Sequence, residues 1–172
     1  MSSLHLTGYS EAKVLIPLSQ VRQWKLHVWA AWLLFFSYSL LMIYLLFFGF
    51  SRSARTERLY NLVPFKTIGS YITDFQYYPL DIWIINVFGN VGAFVPFGFL
   101  IPMLFRSYDS WFSIAKLMFW SLLIVESIQF LFKVGSFDVD DIILNVLGGL
   151  WGFAIYTATI SRSRRRKLQK SW

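Results

Sequence analysis

The chain has 172 residues, of which 56% are hydrophobic, 20% aromatic and only 15% charged, and its formal net charge is +7. Soluble domains carry about 45–50% apolar and about 25% charged residues, so this composition excludes an ordinary water-soluble domain and a disordered chain. The absence of cysteine excludes a disulfide scaffold, a thiolate metal site and a cysteine nucleophile. A membrane-spanning helix needs about 20 apolar residues, and the apolar content is enough for four such spans.

Four long apolar runs follow one another along the chain. The first, 28–50, contains no charged residue and is too long for the apolar core of a signal peptide, so we expect an uncleaved anchor. The others, 82–105, 111–132 and 142–160, each contain isolated polar residues. Because loops and open strand edges leave backbone groups unsatisfied in lipid, all four runs are predicted to be helices. The predicted fold class is all-α: a polytopic membrane protein built as a four-helix transmembrane bundle.

The basic residues are unevenly distributed between the two sides of this bundle. Ten lie in the segment 1–27, the turn after the second span and the tail 161–172, against five in the two opposite loops. Basic residues concentrate on the cytoplasmic side, so both termini are predicted to be cytoplasmic, flanking a transmembrane domain 28–160. The tail is assigned to anionic lipid and not to nucleic acid, because it directly follows a span.

The connection between the first two spans, 51–81, is long for a compact domain and is expected to carry structure of its own. Apolar residues recur in it at helical spacing after Thr67, which is predicted to cap the helix. The sequence therefore predicts a short amphipathic helix on the outer membrane surface. Its apolar positions are Ile68, Tyr71, Ile72 and Phe75.

Polar residues from three spans lie near the outer end of the predicted bundle. The second span begins outside, the third ends outside and the fourth begins outside. The polar residues of each set are three, four or seven positions apart, so each set shares one helical face, for the last set on condition that the fourth helix begins early. We therefore expect the sets to face one another. They are Asn86 and Asn90; Glu126 and Gln129; and Asp138, Asp141 and Asn145.

Glu126 is the most informative residue of this cluster, because an acidic side chain within hydrocarbon costs several kcal/mol. Two interpretations remain open. Glu126 either links helices, protonated or paired with Lys66, Lys133 or an amide, or forms part of a headgroup or ion site.

Three aspartates, Asp138, Asp140 and Asp141, stand at the start of the fourth span. Carboxylates in this number are able to hold Mg²⁺ or Ca²⁺, but acidic residues also cap helix N-termini. We predict capping by at least one of them, and Asp140, off the face of the other two, is predicted to be solvated. Without a complete metal motif, neither a metal nor another cofactor is predicted.

Small residues predict close helix packing in two of the spans. One set is Gly148, Gly149 and Gly152 in the fourth span; the other is Gly89, Gly92 and Ala93 in the second. Pro96 and Pro102 are expected to kink the second span.

Four ordered motifs within residues 61–156 resemble the VanZ-like family. They are Asn-Leu-Val-Pro-Phe-Lys from Asn61, Asn-Val-Phe-Gly-Asn from Asn86, Glu-Ser-Ile-Gln from Glu126, and Phe-Asp-Val-Asp-Asp-Ile-Ile-Leu-Asn from Phe137. The resemblance implies a small multi-pass protein of the bacterial inner membrane that contributes to resistance against teicoplanin-type glycopeptides. The candidate ligand-binding residues that it implies are Asn61, Lys66, Asn86, Asn90, Glu126, Gln129, Asp138, Asp141 and Asn145.

Three functions are compatible with these features. The favoured one is non-catalytic binding of a membrane lipid headgroup, or of a lipid-bearing glycopeptide, at the outer face. The second is an enzyme acting on a lipid-linked substrate with Glu126 or Asp141 as acid or base, although no nucleophile arrangement supports it. The third is a small transporter, which with only four spans would require a homo-oligomer.

Overall fold

The computed structural model describes residues 18–49, 57–77, 79–105 and 107–169. A 3₁₀ turn at Phe75–Tyr77 precedes the short helix Leu80–Ile84, and a π-helical turn at Ile85–Gly89 follows it. Two short strands, β1 (Tyr60–Asn61) and β2 (Phe137–Asp138), pair in parallel. The α-helices are α1 (Leu18–Phe47), α2 (Lys66–Thr73), α3 (Leu80–Ile84), α4 (Asn90–Leu104), α5 (Trp111–Leu131) and α6 (Val139–Gln169).

Among the residues that the structure describes, four helical stretches are long and apolar enough to cross a membrane, which confirms the predicted all-α, multi-pass membrane fold. They agree with the predicted spans to within three residues at each end. The fourth begins earlier than predicted, because the polar residues before it already belong to α6. The four stretches are Val28–Phe47, Ile85–Leu104, Trp111–Leu131 and Val139–Thr159.

Part of the predicted organisation lies outside the described residues. This applies to residues 1–17 of the N-terminal segment, and to Arg52, Arg55 and Arg106, which contributed to the predicted orientation. The backbone of α6 continues through most of the predicted tail, up to Gln169.

The most extensive helix contact joins α4 to α6, and it depends on glycine. A Cβ atom at Gly148 would overlap the carbonyl oxygen of Val91, and one at Gly152 would overlap that of Val95. The two backbones are therefore in direct contact, as small residues permit between membrane helices. The predicted packing role of the glycines in the fourth span is confirmed.

The glycine face predicted for the second span is wrong in its position. A Cβ at Gly92 would have no atom within 4 Å, and one at Gly89 would meet only a side chain of its own turn, at 3.7 Å. Gly98 is the glycine that α6 approaches, since a Cβ there would overlap the α6 backbone. Val91, Val95 and Gly98 are spaced i, i+4, i+7 and so form the contact face, whereas Gly92 lies one position away from it.

The apolar core lies between α4, α5 and α6, and α1 packs at its edge. In the most apolar stretch of each span, only 11% of the α1 residues are buried, against 39% of the α6 residues. Hydrogen bonds tie α1 to the bundle: the Tyr38 hydroxyl donates to the Ala93 carbonyl at 2.9 Å, and the Gln129 amide donates to the Leu46 carbonyl at 2.7 Å. The core residues are Met42, Phe94, Ile101, Ile114, Met118, Leu122, Ile142 and Phe153.

The segment that follows α1 returns across one end of the bundle. Its strand β1 pairs with β2, which places Asn61 opposite Asp138, and α2 then packs against the start of α6. The predicted short helix is confirmed as α2, although it ends before Phe75, which belongs to the 3₁₀ turn. No residue of α2 is buried, and Ile72 is 71% exposed.

Candidate functional site

The N-terminus of α2 is capped by a carboxyl group that belongs to α6. Phe65, the residue before α2, has no side-chain acceptor, and its φ of 65° lies in the left-handed region. Asp140 instead accepts hydrogen bonds from the backbone N–H groups of Phe65 at 2.6 Å, Thr67 at 2.7 Å and Ile68 at 3.1 Å. An N-cap residue ordinarily satisfies such N–H groups within its own helix. Asp140 is 0% exposed, so the prediction that it is solvated is wrong.

Asp138 caps α6 and binds the returning segment at the same time. Its Oδ1 accepts the N–H of Asp140 at 2.9 Å, as an N-cap residue does, and its Oδ2 accepts the hydroxyl of Thr67 at 2.7 Å. The predicted capping by at least one aspartate is therefore confirmed. Thr67 is not the cap of α2, because it lies inside the helix and its hydroxyl is donated to Asp138.

Asn61 completes a closed set of hydrogen bonds, which we call the loop latch: Asn61, Thr67, Asp138 and Asp140. The Asn61 amide donates to Asp138 Oδ1 at 3.1 Å and to Thr67 Oγ1 at 3.0 Å, and its Oδ1 accepts the N–H of Val63 at 3.2 Å. Polar atoms of all four latch residues are thus engaged with one another or with the backbone. The latch positions the segment between β1 and α2. Lys66 is the first residue of α2, and its side chain is exposed.

A second set of polar side chains lies within the spans, at the same end of the bundle. We call it the inner polar set: Asn86, Asn90, Glu126, Asp141 and Asn145. The Asn90 amide donates to Asp141 Oδ1 at 2.7 Å and so links α4 to α6. Glu126, in α5, is 6% exposed. Asn86 lies in the π-helical turn and is half-buried.

Asn145 is a member of this set whose hydrogen bonding is incomplete. Its side chain is 4% exposed, and its Oδ1 accepts no hydrogen bond from the residues that the structure describes. A buried amide oxygen without a donor costs about 1–3 kcal/mol. Such an atom, one helical turn after Asp141, is able to accept a hydrogen bond from a hydroxyl, amide or ammonium group.

Two predicted members of the cluster point elsewhere. Gln129 is 2% exposed and donates to the Leu46 carbonyl, one of the last carbonyls of α1, so it holds α1 and does not join the inner polar set. Asp138 was predicted to share a helical face with Asp141. It lies instead in the extended strand β2, where helical spacing does not apply, and Asp138 binds the loop while Asp141 binds Asn90.

The aspartates are not arranged as a metal centre. Among the described residues, no three His, Cys, Asp or Glu side chains are grouped so that they could hold a metal ion. The two oxygens of Asp140 face backbone N–H groups, which occupy the positions that a cation would need.

The sequence patterns do not predict that Asp140 caps the N-terminus of α2. One signal for it was present: α2 begins after Pro64 and Phe65, neither of which can act as a side-chain cap. A short helix without a local cap needs an acceptor from another part of the chain. The spacing alone could not say which residue supplies it.

An open cleft of about 460 Å³ lies beside the latch, between the returning segment and α5. The guanidinium of Arg58 lies over the ring of Phe130, 5.8 Å from its centroid, so a cation lies against one of the aromatic rings that line this cleft. The residues around it are Tyr60, Leu62, Ser127, Phe130, Leu131 and Phe137.

The latch and the inner polar set both lie within the part of the chain that matches one known protein family. The profile of the VanZ/LLP1 family matches residues 35–161, which include both sets. A curated protein of Enterococcus faecium, named Protein VanZ, is 29% identical over 114 residues, corresponding to 66% of this chain and 62% of that protein. The chain thus matches less than two thirds of that relative's length. No solved structure is significantly similar.

Proposed function

Because the chain belongs to the VanZ-like family, we propose that it contributes to resistance against teicoplanin-type glycopeptides from the bacterial inner membrane. It does so by binding a lipid headgroup, or the polar part of a lipid-bearing glycopeptide, at the outer end of its bundle. The polar parts of both ligands carry hydrogen-bond donors such as hydroxyl, amide or ammonium groups. The proposal is for binding, and it assigns neither a reaction nor a cofactor.

The observation that carries the proposal is the inner polar set. A buried glutamate, an Asn90–Asp141 pair and an Asn145 oxygen without a donor all lie within membrane-spanning segments. Ionisable groups are expensive there and commonly mark a binding or transport site. Carboxyl and amide oxygens accept hydrogen bonds from the hydroxyl, amide and ammonium groups of such amphiphiles.

The orientation predicted from basic residues places this end of the bundle outside the cytoplasm. A glycopeptide that acts on the cell wall is encountered on that side. The cleft beside Phe130 also suits an amphiphile, because it combines aromatic surface with the guanidinium of Arg58.

A susceptibility assay tests this proposal in cells. Glu126→Gln and Asp141→Asn keep the size of each side chain but remove the carboxylate, and we expect each to lower teicoplanin resistance to the level of cells that lack the protein. Asp109→Asn is the matched control, since Asp109 is exposed in the turn between α4 and α5, far along the chain from the inner polar set. It should retain full resistance. Unchanged resistance in both Glu126→Gln and Asp141→Asn, at equal amounts of protein in the membrane, would refute the proposal.

A further inference from the structure

An elongated apolar cavity of about 490 Å³ lies between α1, α4 and α5, and we call it the slot. On α1 it is lined by Phe35, Ser39, Met42, Ile43 and Leu46, which share one helical face. At 1.5 Å per residue, Phe35 and Leu46 are about 16 Å apart along the helix. The slot therefore runs parallel to the spans, and its volume is within the range of about 300–1,000 Å³ that is typical of ligand sites.

The chemistry of the slot matches hydrocarbon. Its walls are almost entirely aliphatic and aromatic, and the hydroxyl of Ser39 is already donated to the Phe35 carbonyl at 2.7 Å. Most of the lining residues belong to spans, so the slot lies within the hydrocarbon layer. An occupant would gain apolar contact along the whole length of the slot and little polar recognition.

A protein helix about 10 Å across with its side chains and about 16 Å long would occupy roughly 1,250 Å³, more than twice the volume of the slot. The helices that line it remain in direct contact, since the Tyr38 hydroxyl of α1 reaches the Ala93 carbonyl of α4 at 2.9 Å. A single extended hydrocarbon chain is the membrane component whose shape fits this space.

One end of the slot adjoins the polar residues. Leu46 and Val125 line this end, and Val125 directly precedes Glu126 of the inner polar set. The amide of Gln129 also binds the carbonyl of Leu46 here. A chain in the slot would therefore leave its polar headgroup at the end of the bundle where the polar side chains lie.

We propose that the slot binds one acyl chain of a membrane phospholipid whose headgroup lies beside the inner polar set. This inference rests on the proposed function, because it takes the ligand to be a lipid, and it adds the part of the protein that holds the lipid chain. Its test is separate from the susceptibility assay, because labelling of the slot is read out without any antibiotic.

The experiment is photo-crosslinking in nanodiscs with a trace of phosphatidylglycerol that carries a diazirine in the middle of one acyl chain. We expect saturable labelling of the wild-type protein, mapping to the peptides that contain Met42 and Met118, both of which line the slot. Excess unlabelled phosphatidylglycerol should compete for this labelling. If the label is spread evenly over the lipid-facing surface and does not saturate, this result overturns the inference. The wild-type protein is sufficient for this test.

Tryptophan substitutions fill the slot from two different helices. Ser39→Trp acts from α1 and Ser121→Trp from α5, and each should reduce slot labelling by roughly tenfold, because it removes the apolar surface that the chain would bury. The matched controls are Leu40→Trp and Ile124→Trp, on the same helices but at side chains that are 68% and 58% exposed and do not line the slot. Equal labelling in the filled variants and in their controls would contradict the inference.

The two proposals fail in different ways. If Glu126→Gln and Asp141→Asn leave resistance unchanged while the slot is still labelled, the proposed function is refuted and the slot inference stands. If those variants lose resistance but labelling is diffuse, the slot inference is overturned and the proposed function stands.

Discussion

Gly98→Ala should destabilise the bundle by about 3 kcal/mol, and Gly148→Ala and Gly152→Ala should have similar effects. At each position the new Cβ would overlap backbone atoms of the facing helix, and backbone atoms cannot move aside as a flexible side chain can. The two helices would have to separate along the most extensive contact of the fold. The free energy of unfolding, measured by denaturing-detergent titration of the purified protein, checks this prediction.

Gly92→Ala is the matched control for these variants. Gly92 lies in α4 like Gly98, but its Cβ position is open. Glycine inside a helix costs about 0.5–1 kcal/mol relative to alanine, so Gly92→Ala should leave stability unchanged or raise it slightly. Equal destabilisation by Gly92→Ala and Gly98→Ala would show that the α4/α6 contact does not depend on the absence of a side chain at position 98.

Asp140→Ala should release the latch, at a cost of about 3 kcal/mol, because it leaves three N–H donors without their acceptor. The effect should be local: the amides of Thr67 and Ile68, which donate to Asp140, should lose most of their protection from hydrogen exchange. Amides in the middle of α5 should change little. Hydrogen exchange followed by mass spectrometry measures both regions in one experiment.

Two further variants sharpen the test of the latch. Asp140→Asn retains one acceptor oxygen but turns an NH₂ group towards backbone N–H donors, so its loss of protection should be intermediate. Asp109→Ala removes an exposed aspartate and should change stability by no more than about 0.5 kcal/mol. Full protection of residues 67 and 68 in Asp140→Ala would contradict the assignment of Asp140 as the cap of α2.

The spans and α2 could be predicted because their signals are local. Long apolar runs and helical spacing depend only on neighbouring residues, and the structure follows them closely. The partner of the α2 N-terminus could not be predicted in this way. Asp140 comes more than 70 residues after the groups that it binds, and only the pairing of β1 with β2 brings the two segments together.

Errors in the predicted site have a common cause. Helical spacing does not hold at Asp138, which lies in a strand, and the sequence of the second span does not show which of its sides contacts α6. Gln129 was assigned to the polar cluster, although the position of α1, which no local pattern reveals, makes Leu46 its acceptor. In each case the missing information was which elements pack together.

The structure divides the candidate residues into two groups with different expected effects. Asn61 and Asp138 belong to the latch, where their polar atoms hold the loop, so their replacement should act first on folding of that segment. Glu126, Asp141 and Asn145 are polar groups within the spans, and we expect their replacement to act on ligand binding. The resemblance to the family alone did not separate these two groups.

Direct binding tests the central claim most closely. A fluorescent lipid-bearing glycopeptide is titrated against the protein in nanodiscs, beside the Asp141→Asn variant and beside the same glycopeptide without its lipid chain. We predict saturable binding to the wild-type protein and an affinity at least about tenfold lower in each comparison, as expected when a charged hydrogen bond or a buried chain is lost. The absence of saturable binding, or equal affinity for the wild type and a folded Asp141→Asn variant, would contradict the account.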